Sequence, residues 1–197
     1  LNVLGLTGGF HGGSCDAAAS FVQNGQLLSS VEEERLTRIK TSFAMPPAKC
    51  IKSILDIQGL RLKNVDKVAY YITYKDQKKL LKNHLRHLFG DCPPIELVDH
   101  HYSHAASAYF GSGFDKATVV CLDWSGDGVS TSIWTGENGI LKCNKKILRP
   151  NSLGIFYAMF TQFLGFDRGD EYKVMGLASY GEPNVNLDEV LNISEPI

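Results

Sequence analysis

The chain has 197 residues, of which 44% are hydrophobic and 21% are charged, an ordinary composition for a globular protein with a buried core. Its 20 basic and 21 acidic side chains give a formal net charge of -1, so no global field attracts it to nucleic acid or to an anionic membrane. No apolar stretch reaches the length of a membrane span or a signal peptide. We therefore expect no nucleic-acid partner and no membrane partner.

The cysteines are odd in number and show no C-x-x-C spacing, which indicates reduced thiols and a cytoplasmic protein. They are Cys15, Cys50, Cys92, Cys121 and Cys143. The chain begins at Leu1 rather than at methionine, and residues 184–197 contain no predicted element that would close a fold. We expect both ends to be boundaries within a longer protein.

The opening of the chain has the pattern strand, glycine-rich loop, strand, tight turn, strand. The predicted strands cover residues 1–6, 17–22 and 26–31. Glycines concentrate in residues 7–14, and Asn24-Gly25 is typical of a two-residue hairpin turn. A charged run, residues 32–40, follows the third strand.

Two amphipathic helices come next. Pro46-Pro47 predicts the start of the first helix and Gly59 its end, while the second helix is predicted over residues 75–89. The residues predicted to face the core are Cys50, Ile51, Ile54 and Leu55 in the first helix, and Leu80, Leu81, His84, Leu85 and Leu88 in the second. Strands are predicted over residues 67–73 and 95–98. We assign no chemistry to His84 or His87.

The opening pattern then occurs a second time. A strand, a glycine-containing loop (residues 123–128), a strand, the Asn138-Gly139 turn and another strand follow in the same order. The two Asn-Gly turns are 114 residues apart. The repeat predicts a duplicated fold, with residues 1–113 as the first half and residues 114–197 as the start of the second.

A helix over residues 153–164 is expected to correspond to the helix after Pro46-Pro47, and Asn151 or Ser152 is predicted to cap it. Its predicted buried face consists of Ile155, Phe156, Met159, Phe160 and Phe163. A final glycine-rich loop is predicted over residues 169–181.

Three of the six histidines lie at a strand-to-helix corner, at residues 100, 101 and 104. His100 and His104 project from the same face of a helix and can converge on one metal ion, whereas His101 points elsewhere. The carboxylate of Asp123 can complete a set of two histidines and one aspartate with open positions for substrate oxygens. A surface or capping pair of histidines is the alternative interpretation.

Glycine-rich turns let backbone N–H groups approach an anion closely, so two such loops from duplicated halves can grip a polyphosphate, as in the actin, hexokinase and Hsp70 superfamily. The candidate nucleotide-binding residues are Gly12 and Gly13 in the first loop and Ser125, Gly126, Asp127 and Gly128 in the second. Each loop taken alone can also be a simple turn.

Four blocks of sequence resemble the O-carbamoyltransferases of the NodU/CmcH type, in the family's order. They are Gly9-Phe10-His11 with Cys15-Asp16-Ala17-Ala18-Ala19, Glu33-Glu34-Arg35-Leu36-Thr37-Arg38-Ile39-Lys40, His100-His101-Tyr102-Ser103-His104-Ala105 and Glu171-Tyr172-Lys173-Val174-Met175-Gly176-Leu177-Ala178-Ser179-Tyr180-Gly181. The resemblance implies an α/β fold of the actin-like ATPase (ribonuclease H-like) type, in which a mixed five-stranded sheet flanked by helices is duplicated. We expect the second copy to be truncated in this chain.

The resemblance also implies a reaction. A YrdC-like domain makes carbamoyl-adenylate from ATP and carbamoyl phosphate, and the actin-like domain transfers the carbamoyl group to a hydroxyl of a sugar, an antibiotic or a similar small molecule. The family's metal ligands fall on His100, His104 and Asp123. The metal is expected to be divalent, with iron(II) favoured and magnesium or zinc as alternatives.

The same resemblance places His11 beside the transferred group, where it can polarise the carbamoyl carbonyl or accept the proton of the acceptor hydroxyl. A loop histidine that is hydrogen-bonded to backbone is the alternative. Lys40 and Lys173 are candidate cations for phosphate or carbamoyl oxygens, and two solvated lysines are the alternative.

This sequence departs from the family in extent, since it lacks the rest of the second half and the YrdC-like domain. We therefore expect the chain alone to be inactive, and its exposed apolar surface to favour self-association or pairing with the missing part. The rival functions are an ATP-dependent kinase or a tRNA threonylcarbamoyladenosine synthase-like protein of the same fold, and a catalytically silent interaction lobe. Kinases hold magnesium through carboxylates and water, and a tRNA-binding enzyme needs a basic surface.

Overall fold

The first part of the chain contains a mixed five-stranded sheet. The computed structural model describes residues 1–10, 16–71 and 75–182. The strands of this sheet are β1 (Asn2–Thr7), β2 (Ala18–Gln23), β3 (Gln26–Glu32), β4 (Lys67–Tyr70) and β5 (Ile95–Leu97). They lie in the order β3-β2-β1-β4-β5. The three strands β1, β2 and β3 are antiparallel neighbours, and β4 is parallel to both β1 and β5.

Three helices accompany this sheet: α1 (Glu33–Thr37), α2 (Ala48–Gln58) and α3 (Lys75–Phe89). The predicted limits of α2 are confirmed, because the helix begins directly after Pro47 and ends at Gly59, whose φ of 64° is the left-handed value that favours glycine. A core of alternate strand residues and helix stripes holds the elements together. Its fully buried members include Leu4, Phe21, Ile51, Ile54, Val68, Tyr70, Leu81 and Leu85.

The buried stripe of α3 is narrower than predicted. Leu81 and Leu85 are fully buried, as expected, and Gln77 joins them one turn earlier. Leu80 and Leu88 are 39% and 46% exposed, so their prediction as core residues is wrong. The three buried residues are spaced by four along one line of the helix, and the two exposed leucines lie on the neighbouring line.

A three-stranded antiparallel sheet begins the second part of the chain. Its strands are β6 (Lys116–Gly126), β7 (Val129–Glu137) and β8 (Ile140–Leu148), in the order β6-β7-β8. They repeat the order of β1, β2 and β3, as the duplicated sequence pattern predicts. The predicted loop over residues 123–128 is wrong in extent, since β6 continues to Gly126 and only Asp127 and Gly128 form the turn.

The two predicted Asn-Gly turns and the turn at Asp127-Gly128 share one backbone geometry. Both central residues have positive φ in Asn24-Gly25 (52° and 85°), in Asp127-Gly128 (54° and 80°) and in Asn138-Gly139 (52° and 74°). This is the requirement of a type I′ hairpin turn, and it explains why asparagine, aspartate and glycine occupy these positions.

The second part of the chain also contains α5 (Leu153–Phe163) and α6 (Glu171–Ala178), which follow α4 (His100–Ser112). Helix α6 replaces the loop predicted over residues 169–181. The flanking Gly169 and Gly181 suggested a loop, but the segment between them contains no proline and is rich in strong helix formers such as Glu171, Met175 and Leu177.

Helix α5 is capped as predicted, because the Ser152 hydroxyl accepts a hydrogen bond from the Ile155 N–H at 3.1 Å. Its predicted buried face is wrong. The buried residues are Ala158 and Thr161, whereas Met159 and Phe163 are 63% and 83% exposed. Helix α5 packs on β6, and its Gly154 lies against the backbone of Asp123 and Trp124 in that strand.

The chain divides into two compact units, Leu1–Ser103 and His104–Ile197. This division falls in the first turns of α4, whereas the sequence pattern places the start of the second half at residue 114. Helix α4 itself is continuous across the division. Within the described residues, no helix combines the length and the apolar character that are needed to cross a membrane.

Candidate metal centre

Helix α4 presents two adjacent stripes of side chains. His101, Ala105 and Tyr109 form the buried stripe, with exposures of 1%, 0% and 4%. Ala105 and Tyr109 pack against Val119, Cys121 and Trp134 of the second sheet. His100 and His104 lie one helical turn apart on the neighbouring stripe, where they are partly buried and exposed respectively. The sequence prediction that His101 points away from this pair therefore agrees with its burial.

Strand β6 brings a carboxylate to the same place. Val119 and Cys121 are buried against α4, and side chains two residues apart along a strand point to the same face. Asp123 continues this row by one step. The β6–β7 pairing is interrupted by a register shift between Leu122 and Gly126, so Asp123 stands at the start of a bulge. Bulges commonly redirect side chains next to functional sites.

The structure brings together three residues that were predicted as metal ligands. His100, His104 and Asp123 each offer one ligand atom, and these atoms all lie within 4.8 Å of one another. Two atoms that each bind one ion at about 2.1 Å are at most about 4.2 Å apart. The three donor atoms are thus close to the spacing that is needed to bind one ion. Two imidazoles with one carboxylate form a donor set that suits iron(II) or zinc.

The neighbouring groups orient these donors. The His100 ring makes an edge contact with Tyr71, with ring centroids 5.5 Å apart. The Asp123 carboxylate accepts the Trp124 N–H through Oδ1 at 2.6 Å. Burial raises the pKa of the nearby Cys121 thiol, and the charge of Asp123 raises it further. Cys121 therefore remains protonated at neutral pH and is a poor metal ligand.

The other predicted site residues have different outcomes. His11, Gly12 and Gly13 lie outside the described residues, as do Cys15, the end of the predicted strand at residues 72–73 and the tail at 184–197. Ser125 and Gly126 are the last residues of β6, and Asp127 and Gly128 form the turn that follows.

The two candidate lysines lie in different elements. Lys40 is exposed in a 3₁₀ turn at Lys40–Ser42. Lys173 lies in α6, where its Nζ is 2.8 Å from Asp170 Oδ2. This hydrogen bond raises the pKa of Lys173 and lowers the pKa of Asp170. Lys173 is therefore a cation with an existing anionic neighbour.

Sequence reasoning missed Glu33, whose side chain is only 2% exposed. Its two carboxylate oxygens accept the N–H groups of Lys49 at 3.0 Å and Cys50 at 2.8 Å, in the first turn of α2. The available signal was Pro47, the N-cap of α2, which has no side-chain acceptor for these amides, so the helix requires an acceptor from elsewhere in the chain.

The order of the five strands and the repeat of the first three define an actin-like α/β fold, as predicted. A solved structure with the same fold is that of an uncharacterised protein from Pseudomonas aeruginosa described as similar to peptidase YeaZ. It matches with a TM-score of 0.50 and 14% identity, over 96% of this chain and 97% of that one.

The family model described as carbamoyltransferase N-terminus matches residues 68–195. A protein from Synechocystis, sll1178, is 36% identical over 98% of this chain and 37% of its own length. Nodulation protein NolNO from Sinorhizobium fredii is 36% identical over 94% of this chain and 32% of its own length. The chain therefore belongs to the carbamoyltransferase N-terminal family, and it spans about a third of the length of these relatives.

Proposed function

We propose that this chain is the N-terminal part of a cytoplasmic, ATP-dependent O-carbamoyltransferase. The donor is carbamoyl-adenylate, made from carbamoyl phosphate and ATP, and the acceptor is a hydroxyl group of a small molecule such as a sugar or an antibiotic. The observation that supports this most directly is the convergence of His100, His104 and Asp123 within 4.8 Å, in a chain that belongs to this family.

The proposed transfer is a substitution at the carbamoyl carbon. The acceptor oxygen forms a bond to that carbon, the bond from the carbon to the phosphate oxygen breaks, and AMP leaves with the electron pair. The hydroxyl proton passes to a base, and we assign this task, or polarisation of the carbamoyl carbonyl, to His11. Lys40 and Lys173, with the backbone of residues 125–128, are the proposed contacts of phosphate and carbamoyl oxygens.

His100, His104 and Asp123 are the residues that would hold a divalent ion, with iron(II) favoured and magnesium or zinc as alternatives. When bound, such an ion supplies positive charge to neutralise phosphate oxygens during transfer. The pair of imidazoles favours this proposal over a sugar kinase, because magnesium in kinases is held by carboxylates and water.

We also propose that a further part of the protein, including a YrdC-like domain, completes the enzyme and that the present chain alone is inactive. The exposed apolar side chains of α5 and α6 support such pairing or self-association. Phe163 is 83% exposed and Met175 is 68% exposed.

Metal binding is the first test. Anaerobic titration of the chain with Fe²⁺, and a separate titration with Zn²⁺, should show one site whose affinity falls by at least about 100-fold in His104→Ala, since a ligand is lost. His87→Ala is the matched control, because it removes an exposed histidine from α3 and should leave the affinity unchanged. Equal affinities in the wild type and His104→Ala would contradict the metal centre.

The nucleotide product separates the rival enzymes. With carbamoyl phosphate, ATP and a hydroxyl acceptor, the full-length protein should release pyrophosphate and inorganic phosphate on forming carbamoyl-adenylate, and AMP on transfer, whereas a kinase would release ADP and would not need carbamoyl phosphate. A silent lobe would release neither nucleotide. His11→Ala should leave ATP affinity nearly unchanged and depress transfer, and a collapse of ATP affinity in this variant would contradict the role assigned to His11.

A further inference from the structure

We propose that Ser152 and Gly154, in the N-terminal segment of α5, are positioning residues that hold Asp123 in place for metal binding. The inference rests on the proposed metal centre and extends it to two residues that are not ligands. All the groups that support it belong to the second compact unit, in β6, α5 and the segment after α5.

The backbone around Asp123 needs support from outside its own sheet. The regular pairing of β6 with β7 ends at Leu122 and resumes only at Gly126. Residues 123–125 lie between these two positions, where the ladder does not hold them in register. A carboxylate on such a segment keeps a defined position only if another element binds its backbone.

Ser152 provides this contact. Its Oγ lies 3.1 Å from the carbonyl oxygen of Asp123 and 2.9 Å from that of Trp124. The same oxygen accepts the Ile155 N–H at 3.1 Å. One hydroxyl therefore caps α5 and at the same time joins the start of the helix to the peptide that carries Asp123.

Gly154 allows the two backbones to meet. A Cβ atom added at Gly154 would lie 2.8 Å from Trp124 Cα, 2.8 Å from Trp124 N and 3.0 Å from Asp123 O. These atoms are backbone, so no side-chain rotation can relieve the overlap. Alanine at this position would force α5 and the Asp123–Trp124 peptide apart.

The Trp124 side chain is held as well. The Arg168 guanidinium stacks on its ring at 3.6 Å from the centroid. The Trp124 N–H donates to Asp123 Oδ1, so the peptide fixed by α5 also orients the carboxylate. Displacement of this peptide should therefore move the ligand atom of Asp123 away from the two histidines.

The test compares metal affinity with stability in the purified 197-residue chain, using Zn²⁺ for affinity and Co²⁺ for its visible absorption spectrum. Outer-shell substitutions typically weaken metal binding about 10- to 100-fold. We expect the Zn²⁺ affinity to fall about 10-fold in Ser152→Ala and nearer to 100-fold in Gly154→Ala. Ser152→Thr keeps the hydroxyl and should bind more tightly than Ser152→Ala. The matched control is Gly176→Ala in α6, because an added Cβ there meets nothing within 4 Å and the affinity should not change.

The possible outcomes separate this inference from the proposed function. If the wild-type chain binds no ion through His104, the metal centre itself is refuted. If the wild type binds but Ser152→Ala and Gly154→Ala bind equally well and give the wild-type Co²⁺ spectrum, only the positioning role is refuted. A role confined to stability would lower the unfolding temperature of the metal-free protein without changing the affinity, and this also contradicts the inference. If Gly154→Ala does not fold, the comparison of Ser152→Ala with Ser152→Thr decides.

Discussion

Replacing Glu33 by alanine should destabilise the first compact unit strongly, although Glu33 has no role in the proposed chemistry. The substitution removes the acceptor of two N–H groups in the first turn of α2. The Cys50 N–H would be left in a buried environment, at a cost of about 2 to 3 kcal/mol, while the Lys49 N–H can reach water and should cost about 1 kcal/mol. The expected loss in the free energy of unfolding is therefore about 3 to 4 kcal/mol.

Urea unfolding followed by far-UV circular dichroism measures this loss. Glu32→Ala is the matched control, because that carboxylate is 57% exposed and pairs with the exposed Arg35 at 2.9 Å, so its loss should cost less than about 0.5 kcal/mol. Glu33→Gln keeps one acceptor oxygen and should fall between the two. If Glu33→Ala lies within about 0.5 kcal/mol of Glu32→Ala, the cap does not stabilise α2 and the argument is wrong.

Two further predictions concern packing and pH. Gly136→Ala should destabilise the protein by about 1 to 3 kcal/mol through overpacking, because the added Cβ would lie 2.5 Å from the Tyr109 ring. Gly176→Ala is the control and should not destabilise the protein, since its added Cβ meets nothing within 4 Å. Thermal unfolding compares the two variants, and equal midpoints would contradict the prediction. Burial lowers the pKa of His84, and the charge of His87 lowers it further, so the unfolded chain binds a proton more readily than the folded one. Stability should therefore be full above the unfolded-state pKa of about 6.5 and decrease as the pH falls below it, and His84→Leu should reduce this dependence while His87→Leu retains most of it. If the pH dependence of stability is unchanged in His84→Leu, other groups cause it and the prediction is wrong.

The features that were predicted correctly depend on neighbouring residues in the chain. The Asn24-Gly25 and Asn138-Gly139 turns follow from the positive φ values that few other residues accept. The end of α2 at Gly59 has the same origin. The pairing of His100 with His104 also needs only the pitch of one helix.

The predictions that failed concern which side of an element is covered. The aromatic stripe of α5 was expected to be buried because it is apolar, yet Ala158 and Thr161 face the protein and Phe163 is exposed. The glycines that flank α6 predict a loop, but residues 171–178 form a helix. Glu33 appeared as one charge in a polar run, although it is buried and caps a helix 16 residues away in sequence.

The local sequence is sufficient to predict the Asn-Gly turns, the limits of α2, the duplication and the single-helix spacing of two candidate ligands, because backbone sterics and helical pitch act over a few residues. Tertiary packing places Asp123 next to His104, brings α5 onto β6 at Gly154 and buries Glu33. These contacts join residues far apart in sequence, and their geometry depends on which surfaces pack together, which no local periodicity encodes.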